Sequence, residues 1–278
     1  MDRKVIERVK GRAAVDGAGV HMTRVLSRGN VRDFDPFLML DSFDSKDPDD
    51  YMAGFPMHPH RGIETLTYLL KGEMAHKDSM GNAGLIRSGE AQWMTAGSGI
   101  LHEEMPRASE HLLGFQLWIN LPQKDKMTRP HYQALTEDEI AVHRGEAADV
   151  RVLSGQYKDA KGFRPLYVQA RILDVDLKED GAAFGLKTPE ENTLFLFTLL
   201  GSIEIDGTVY EEKTAVLTGP GEGLQIKAAG GPARVIFYDA PRLDEALAWG
   251  GPIVMNTRSE LKQAFEDLSS GEFIKDEI

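Results

Sequence analysis

Glycines divide this chain into short apolar segments. From residue 62 onward they stand at positions 62, 72, 81, 84, 89, 97 and 99, and the segments between them are rich in β-branched and aromatic residues. Turn signals spaced roughly 8–12 residues apart predict an all-β sandwich or barrel. Residues 202–209 alternate polar and apolar side chains around Asp206-Gly207. That pattern predicts a hairpin, because a type I′ turn needs positive φ at both central residues.

One helix is predicted, at the C-terminus. Thr257 and Glu260 have the spacing of a capping box, in which each side chain bonds the other residue's backbone N–H. The apolar residues that follow at helical spacing are Leu261, Ala264, Phe265 and Leu268. Gly271 is a plausible stop. We therefore expect an amphipathic helix near residues 258–269, with its apolar stripe on the β body.

The chain repeats itself at one offset. Residues 65–72 resemble 195–201, and residues 85–89 resemble 215–219, both with a shift of 130 positions. A shared offset predicts a duplicated fold. We expect an N-terminal domain over residues 1–130 and a C-terminal domain over 131–278. A linker is predicted within residues 121–139, which contain Pro122 and Pro130.

Composition narrows the function classes. The 278 residues include 44 acidic and 32 basic side chains, a net charge of -12, which disfavours binding to nucleic-acid phosphates. The chain has no cysteine, which excludes disulfides, thiolate zinc sites and iron–sulfur clusters. The first residues lack the apolar stretch of a signal peptide, and the most apolar segment, residues 193–200, is too short for a membrane helix. We expect a cytoplasmic protein without membrane contact.

Two pairs of side chains have the spacing of metal ligands. His58 and His60 are two residues apart, and so are His102 and Glu104. Residues i and i+2 of an extended strand point to the same side. On neighbouring strands the two pairs would supply three imidazole nitrogens and one carboxylate oxygen. That set suits Fe(II), Mn(II), Ni(II), Cu(II) or Zn(II).

Other polar and aromatic residues are expected to have structural roles. His76 and Asp78 also lie two residues apart, but in a polar hairpin, so we expect them at the surface. The acidic residues within 41–50 predict a solvated face, or a rim over the entrance to the site. The aromatic residues with strand-like alternation are Trp93, Phe115 and Trp118. We expect them in the core, with the lining of an aromatic ligand's pocket as the alternative.

Longer strings of residues resemble a known family. Gly54, His58, His60, Glu64 and Gly72 are similar to the first cupin motif, and residues 89–102 to the second. More closely, residues 58–65, 92–97 and 100–106 resemble the pirin family. The resemblance extends to residues 37–41 and 250–257, so it spans nearly the whole chain.

The resemblance implies a fold and a ligand set. Pirins are bicupins, with two β-barrel or jelly-roll domains and a metal only in the N-terminal one. Carried over by position, His58, His60, His102 and Glu104 are the four metal ligands. A general cupin pattern would recruit Glu64 instead of Glu104. If Glu64 is not a ligand, we expect its carboxylate to be held by a neighbouring hydrogen bond.

The resemblance also implies an activity. Pirins resemble cupin quercetinases, which implies one divalent metal per chain, Fe(II) in the first place with Mn, Ni, Cu or Zn as alternatives. The substrates would be a small aromatic oxygenated molecule of the flavonol type and O2, with Glu104 as the catalytic base. The alternative is a metal-dependent, redox-sensing regulator that binds a protein partner such as a transcription factor or metabolic enzyme.

The second half of the chain lacks the motif. With the 130-residue offset, the four ligand positions map to Thr188, Glu190, Pro232 and Arg234, and no histidine follows His143. No HxH pair can form there. We expect the C-terminal domain to carry no metal and to have a structural role or to form part of the pocket wall.

Overall fold

The computed structural model describes residues 1–276. Over this range the chain forms 26 strands and one α-helix, α1 (Arg258–Ser270). The first strands are β1 (Val5–Lys10), β2 (Arg12–Asp16), β3 (Val20–Leu26), β4 (Phe37–Ser45), β5 (Phe55–His60), β6 (Ile63–Lys71), β7 (Glu73–Asp78), β8 (Ala83–Ile86), β9 (Ala91–Thr95), β10 (Ile100–Arg107), β11 (Leu112–Asn120), β12 (His131–Leu135) and β13 (Val142–Arg144). The remaining strands are β14 (Ala148–Ser154), β15 (Gln156–Tyr157), β16 (Ala160–Lys161), β17 (Arg171–Leu177), β18 (Ala183–Lys187), β19 (Thr193–Leu200), β20 (Ser202–Ile205), β21 (Thr208–Glu211), β22 (Thr214–Thr218), β23 (Gly223–Ala228), β24 (Ala233–Ala240), β25 (Ala248–Gly250) and β26 (Ile253–Met255). The predicted all-β class is confirmed.

The chain forms two compact units that interleave along the sequence. The HxH unit comprises Ala13–Val31, Phe37–Glu137 and the chain from Leu243 onward. The companion unit comprises Met1–Arg12, Arg32–Pro36 and Asp138–Arg242. The continuous division into residues 1–130 and 131–278 stays a prediction. By contacts, β1 belongs with the second half of the chain and α1 with the first.

Both units have the same sheet topology. The HxH unit has a seven-stranded sheet, β12-β9-β6-β11-β4-β3-β2, and a four-stranded sheet, β5-β10-β7-β8. The companion unit repeats this as β1-β22-β19-β24-β17-β14-β13 and β18-β23-β20-β21. Two sheets whose inner faces bury apolar side chains form a sandwich. The strand orders therefore support the predicted duplication.

The offset between the two copies is not constant. Strands β6 and β19 end at Gly72 and Gly201, 129 positions apart, where positive φ values of 97° and 72° suit glycine. Thr67, five residues before Gly72, pairs with Gln92, and Leu196, five residues before Gly201, pairs with Val216. Gln92 of the HxH unit therefore corresponds to Val216 of the companion unit, a shift of 124 positions. The single 130-residue offset was wrong, because the connecting turns differ in length.

The local predictions at the hairpin and the helix are confirmed. Asp206 and Gly207 have φ values of 49° and 78° between β20 and β21, as a type I′ turn requires. Thr257 caps α1, and both hydrogen bonds of the capping box with Glu260 are present. Gly271 ends the helix at φ 81°. Ala264 is buried against Ile253, Met255 and Phe273, with Leu261 and Leu268 partly buried beside it.

The boundary between the two units lies within the predicted linker, between Glu137 and Asp138. Residues 121–137 are an ordered part of the HxH unit, where strand β12 pairs with β9. Lys126 is buried, and its ammonium group donates to the carbonyl oxygens of Gly62 and Val254 and to Oδ1 of Asn120. Burial lowers the pKa of Lys126 to about 7.

Among the described residues, no helix is long and apolar enough to span a membrane.

Candidate metal centre

The four predicted ligand residues lie on two paired strands. His58 and His60 are on β5, and His102 and Glu104 are on β10. The strands run antiparallel, with His58 directly opposite His102. Strand β10 alternates between buried and half-buried side chains, and His102 and Glu104 are both on its buried side. The period of two therefore directs both residues inward, as predicted.

The three histidines form one cluster. A ring nitrogen from each of His58, His60 and His102 lies within 4.8 Å of the other two. His60 and His102 are 2% and 1% exposed, and His58 is half-buried. Their ring centroids are 4.4–5.0 Å apart. Three imidazoles that converge at this distance have the arrangement of a transition-metal site.

The hydrogen bonds of His58 and His60 determine their tautomers. Nδ1 of His58 lies 2.9 Å from the carbonyl oxygen of Pro56, and Nδ1 of His60 lies 3.0 Å from that of Pro252. A carbonyl only accepts, so each Nδ1 carries the proton and each neutral ring has its lone pair on Nε2. The two Nε2 atoms are 3.1 Å apart. Facing lone pairs repel each other unless a cation lies between them, and metal-bound histidines typically have this Nδ1–carbonyl contact.

Burial keeps His60 and His102 neutral. Burial and the neighbouring His58 lower the pKa of His60 to about 3, and burial also lowers the pKa of His102 well below its usual value. Both ring nitrogens of His102 are buried without a hydrogen-bond partner among the described residues. An unpaired buried nitrogen is costly unless it ligates something. The donor set therefore fits a divalent metal ion.

Glu104 is buried beside the cluster but is not within the 4.8 Å group. Its Oε1 accepts hydrogen bonds from Thr67 Oγ1 at 2.9 Å and Gln92 Nε2 at 2.6 Å. Its Oε2 accepts one from Gln116 Nε2 at 2.5 Å. Trp118 Nε1 donates to Oε1 of Gln116 at 3.2 Å, which orients that amide. Oε1 is saturated, whereas Oε2 keeps a lone pair for a metal or a proton.

Glu64, the alternative carboxylate, has different partners. It is fully buried, and its Oε1 accepts from Trp93 Nε1 at 3.0 Å and Thr95 Oγ1 at 2.7 Å. Burial raises its pKa to about 7. The structure thus has the neighbouring hydrogen bonds that we expected for a Glu64 that does not bind metal.

A second buried layer lies behind the cluster, and the expectation that it would be at the surface was wrong. His76 and Asp78 are 3% and 4% exposed, with His76 Nε2 3.2 Å from Asp78 Oδ2. The His76 ring lies 5.5 Å from that of His102 and stacks on Tyr132 at 4.3 Å. Strand β10 pairs with β7, which places Asp78 opposite His102. The alternation of Met74, His76 and Asp78 on β7 was the overlooked signal.

A cavity of about 690 Å³ opens onto the histidines. His58, His60 and Gln116 contribute to its wall, and Trp118 and Trp249 lie beside them. Trp118 packs edge-on against the His60 ring, 4.8 Å away. Trp93, Phe115 and Trp118 are buried in the core, as predicted, and Trp118 also lines the cavity. The volume is in the range that takes a drug-sized ligand.

The segment 41–50 contributes one acidic residue, Asp41, to the cavity wall. Asp41 is 4% exposed, so the expectation of a solvated face was wrong for it. Its carboxylate binds Arg24, with Nε–Oδ1 and Nη2–Oδ2 distances of 2.9 and 2.8 Å. Arg24 also donates to Asp16 at 2.7 Å. The two carboxylates raise the pKa of Arg24, which therefore keeps its positive charge between them.

Three of the four equivalent positions in the companion unit are apolar. Glu104 pairs with His76, four residues after Gly72, and Ile226 lies opposite Ile205, four residues after Gly201, so Ile226 corresponds to Glu104. Leu224 and its partner Leu186 then correspond to His102 and His58, and Thr188 corresponds to His60. Leu186, Leu224 and Ile226 are buried in one hydrophobic cluster, and the buried Thr188 accepts a hydrogen bond from Arg3. The earlier mapping to Thr188, Glu190, Pro232 and Arg234 was out of register.

Comparisons with known proteins agree with this arrangement. The Pirin family profile matches residues 19–119, and the Pirin C-terminal cupin domain matches residues 172–274. A pirin-like protein of Caulobacter vibrioides is 40% identical, over 98% of this chain and 99% of its own. A crystal structure of quercetin 2,3-dioxygenase from Acinetobacter baumannii has a TM-score of 0.89 and 32% identity, over 98% of this chain and 99% of its own. A bacterial pirin of Escherichia coli in complex with nickel(II) shares the fold, with a TM-score of 0.66 and 22% identity over 85% of this chain and 99% of its own.

Proposed function

This chain belongs to the pirin family, and from that premise we propose that it is a metal-dependent dioxygenase of the quercetin 2,3-dioxygenase type. Its substrates would be O2 and a flavonol-type molecule. The observation that carries the proposal is the pair of Nε2 atoms of His58 and His60, 3.1 Å apart at an aromatic-walled cavity. The similarity to the Acinetobacter baumannii quercetin 2,3-dioxygenase supports the choice of reaction.

The proposed metal ligands are His58, His60 and His102 through their ring nitrogens and Glu104 through Oε2. The neutral rings and the unpartnered nitrogens of His102 support this set. We propose Fe(II) as the metal, with Mn(II), Ni(II), Cu(II) and Zn(II) as ions that the same donors accept. When bound, the metal would act as a Lewis acid and a site for oxygen chemistry.

The protein's own groups would handle the substrate and its proton. Oε2 of Glu104 has one lone pair beside the bond from Gln116, so it would take the proton of the flavonol 3-hydroxyl while it is not a metal ligand, with Thr67 and Gln92 holding Oε1 in place. The carbonyls of Pro56 and Pro252 would hold both Nδ1 protons, which leaves Nε2 of each ring for the metal. Trp118 and Trp249 exclude water from the planar substrate. In the overall reaction both atoms of O2 enter the cleaved product, and one ring carbon leaves as carbon monoxide.

The decisive experiment is anaerobic purification, metal analysis and then an aerobic quercetin assay with added Fe(II), Mn(II), Ni(II) or Cu(II). His60→Ala is the test variant. His131→Ala is the matched control, because His131 is exposed on β12. We expect flavonol loss with equivalent O2 uptake in the wild type and the control, and none in His60→Ala.

Two other outcomes would change the proposal. Stoichiometric metal without turnover for any ion would replace the dioxygenase with the redox-sensing regulator that binds a protein partner. Equal metal content in wild type and His60→Ala would contradict the ligand assignment itself.

A further inference from the structure

One cationic side chain in the cavity wall has no acidic partner among residues 1–276. The cavity is lined by four charged residues, Asp16, Arg24, Asp41 and Arg28. Arg24 is held by both carboxylates through hydrogen bonds of 2.7–2.9 Å. Arg28 is exposed, and its guanidinium contacts an aromatic ring instead of a carboxylate. Its positive charge is therefore available to a ligand.

Arg28 lies at the end of an aromatic wall that begins at the histidines. His60 contacts Trp118 at 4.8 Å, and Trp118 contacts Trp249 at 6.0 Å. The guanidinium of Arg28 lies over the Trp249 ring, 5.5 Å from its centroid. Trp249 is held in turn by its Nε1, which donates to the carbonyl of Gly251 at 2.7 Å. A planar molecule that reaches the histidines and lies along both tryptophans would extend toward Arg28.

We propose that Arg28 is a specificity-determining residue that selects aromatic substrates carrying an anionic group at the end remote from the metal centre. An arginine that lies over an aromatic ring keeps its N–H donors available, because they point outward in the plane of the guanidinium. These donors form paired hydrogen bonds with the oxygens of a carboxylate or sulfonate. The net charge of the protein is -12, so a local cation is required if the cavity is to attract an anion. This inference rests on the proposed function, because that function defines which end of the substrate reacts.

The test is anaerobic binding of two probes, quercetin and quercetin-5′-sulfonate, followed by quenching of tryptophan fluorescence. At about pH 6 the first probe is neutral and the second is charged. We expect the wild type to prefer the sulfonate by about threefold to fivefold at low ionic strength, the upper range for an exposed ion pair. The preference should shrink as salt is added, because exposed charges are screened.

Variants of Arg28 separate charge from general packing. Arg28→Met should remove the preference and change quercetin affinity less than about twofold, because neutral quercetin has no anionic group to pair with the guanidinium. Arg28→Lys should restore part of it, because the charge returns without the planar fork. Arg12→Met is the control, because Arg12 is an exposed arginine of the companion unit. A sulfonate preference that survives in Arg28→Met, or that is absent from the wild type, would overturn the inference.

Turnover in air is measured separately, so the two proposals fail in different ways. Sulfonate preference without turnover would leave Arg28 as a selectivity residue and remove the dioxygenase. Turnover without any sulfonate preference would support the dioxygenase and remove the selectivity role of Arg28.

Discussion

The two units have the same strand order but opposite interiors. Across the middle of the large sheet of the HxH unit runs a polar row, in which each residue pairs with the next: Asp41, Gln116, Thr67 and Gln92. The corresponding row of the companion unit is apolar: Leu173, Phe237, Leu196 and Val216. The backbone pairing of the strands is the same whether this row is polar or apolar. The fold therefore does not determine the site; a few inward side chains do.

The apolar row and the polar row contribute differently to stability. All four residues of the apolar row belong to one hydrophobic cluster, which stabilises the companion unit by burying apolar area. The polar row needs every buried group to find a partner, and Gln116, Thr67 and Gln92 do so through Glu104. Buried polar networks contribute specificity and function more than stability.

The largest effect is expected when a ligand position of the HxH unit receives its companion residue. His102→Leu should abolish stoichiometric metal binding. It should also leave the metal-free protein as stable or more stable, by about 1–3 kcal/mol, because it removes two buried unpaired nitrogens. Metal analysis and chemical denaturation of the metal-free proteins test this. Retained metal, or a large loss of stability, would contradict it.

The reverse exchange should be costly. Phe237→Gln places an amide in the apolar row of the companion unit, where no polar network receives it. We expect the free energy of unfolding to fall by about 3–5 kcal/mol. Urea denaturation measures the change, and Phe237→Leu is the control for lost volume alone. Equal losses in both variants would mean that polarity is not the difference between the interiors.

Glu64 provides a pH test of the polar interior. Its folded pKa of about 7 exceeds the unfolded value of 4.5, so the folded state binds the proton more tightly. Its stabilising contribution is complete below pH 4.5 and is lost as the pH rises through 7. That loss is about 3 kcal/mol. Glu64→Gln stays neutral, so its stability relative to wild type should rise by this amount between pH 4 and pH 8.

Denaturation at both pH values measures the relative stability of Glu64→Gln. The exposed Glu110→Gln serves as the control. A constant difference between Glu64→Gln and wild type would show that Glu64 does not titrate in this window.

The smallest effect is expected at Gln116, which touches both the cavity and Glu104. Gln116→Leu removes the donor to Oε2 and should weaken metal binding about tenfold, the lower range for a residue behind a ligand. A chelator competition titration measures the affinity. Gln133→Leu is the matched control, because its amide bonds a backbone carbonyl on β12. An unchanged metal affinity in Gln116→Leu would contradict the assignment of Glu104 as a metal ligand.

Sequence patterns predicted those features of the fold and the site that depend only on residues close together in the chain. The period of two placed His58, His60 and His102 correctly, and the caps placed α1. The partners of Glu104 were not predicted, because Thr67, Gln92 and Gln116 come from three different strands. The burial of His76 was also missed, since polar composition suggested a surface hairpin. Tertiary packing decided both.

One hydrogen bond has a consequence for biosynthesis. The tautomer of His60 depends on the carbonyl of Pro252, which lies 192 residues later in the chain. A ribosome delivers His60 long before Pro252 emerges, so during most of translation this carbonyl cannot select the His60 tautomer. The imidazole then exchanges its proton between Nδ1 and Nε2, and only the form with a free Nε2 can bind a metal through that atom. A chain truncated before Pro252 lacks the acceptor that fixes this form and should bind the metal more weakly.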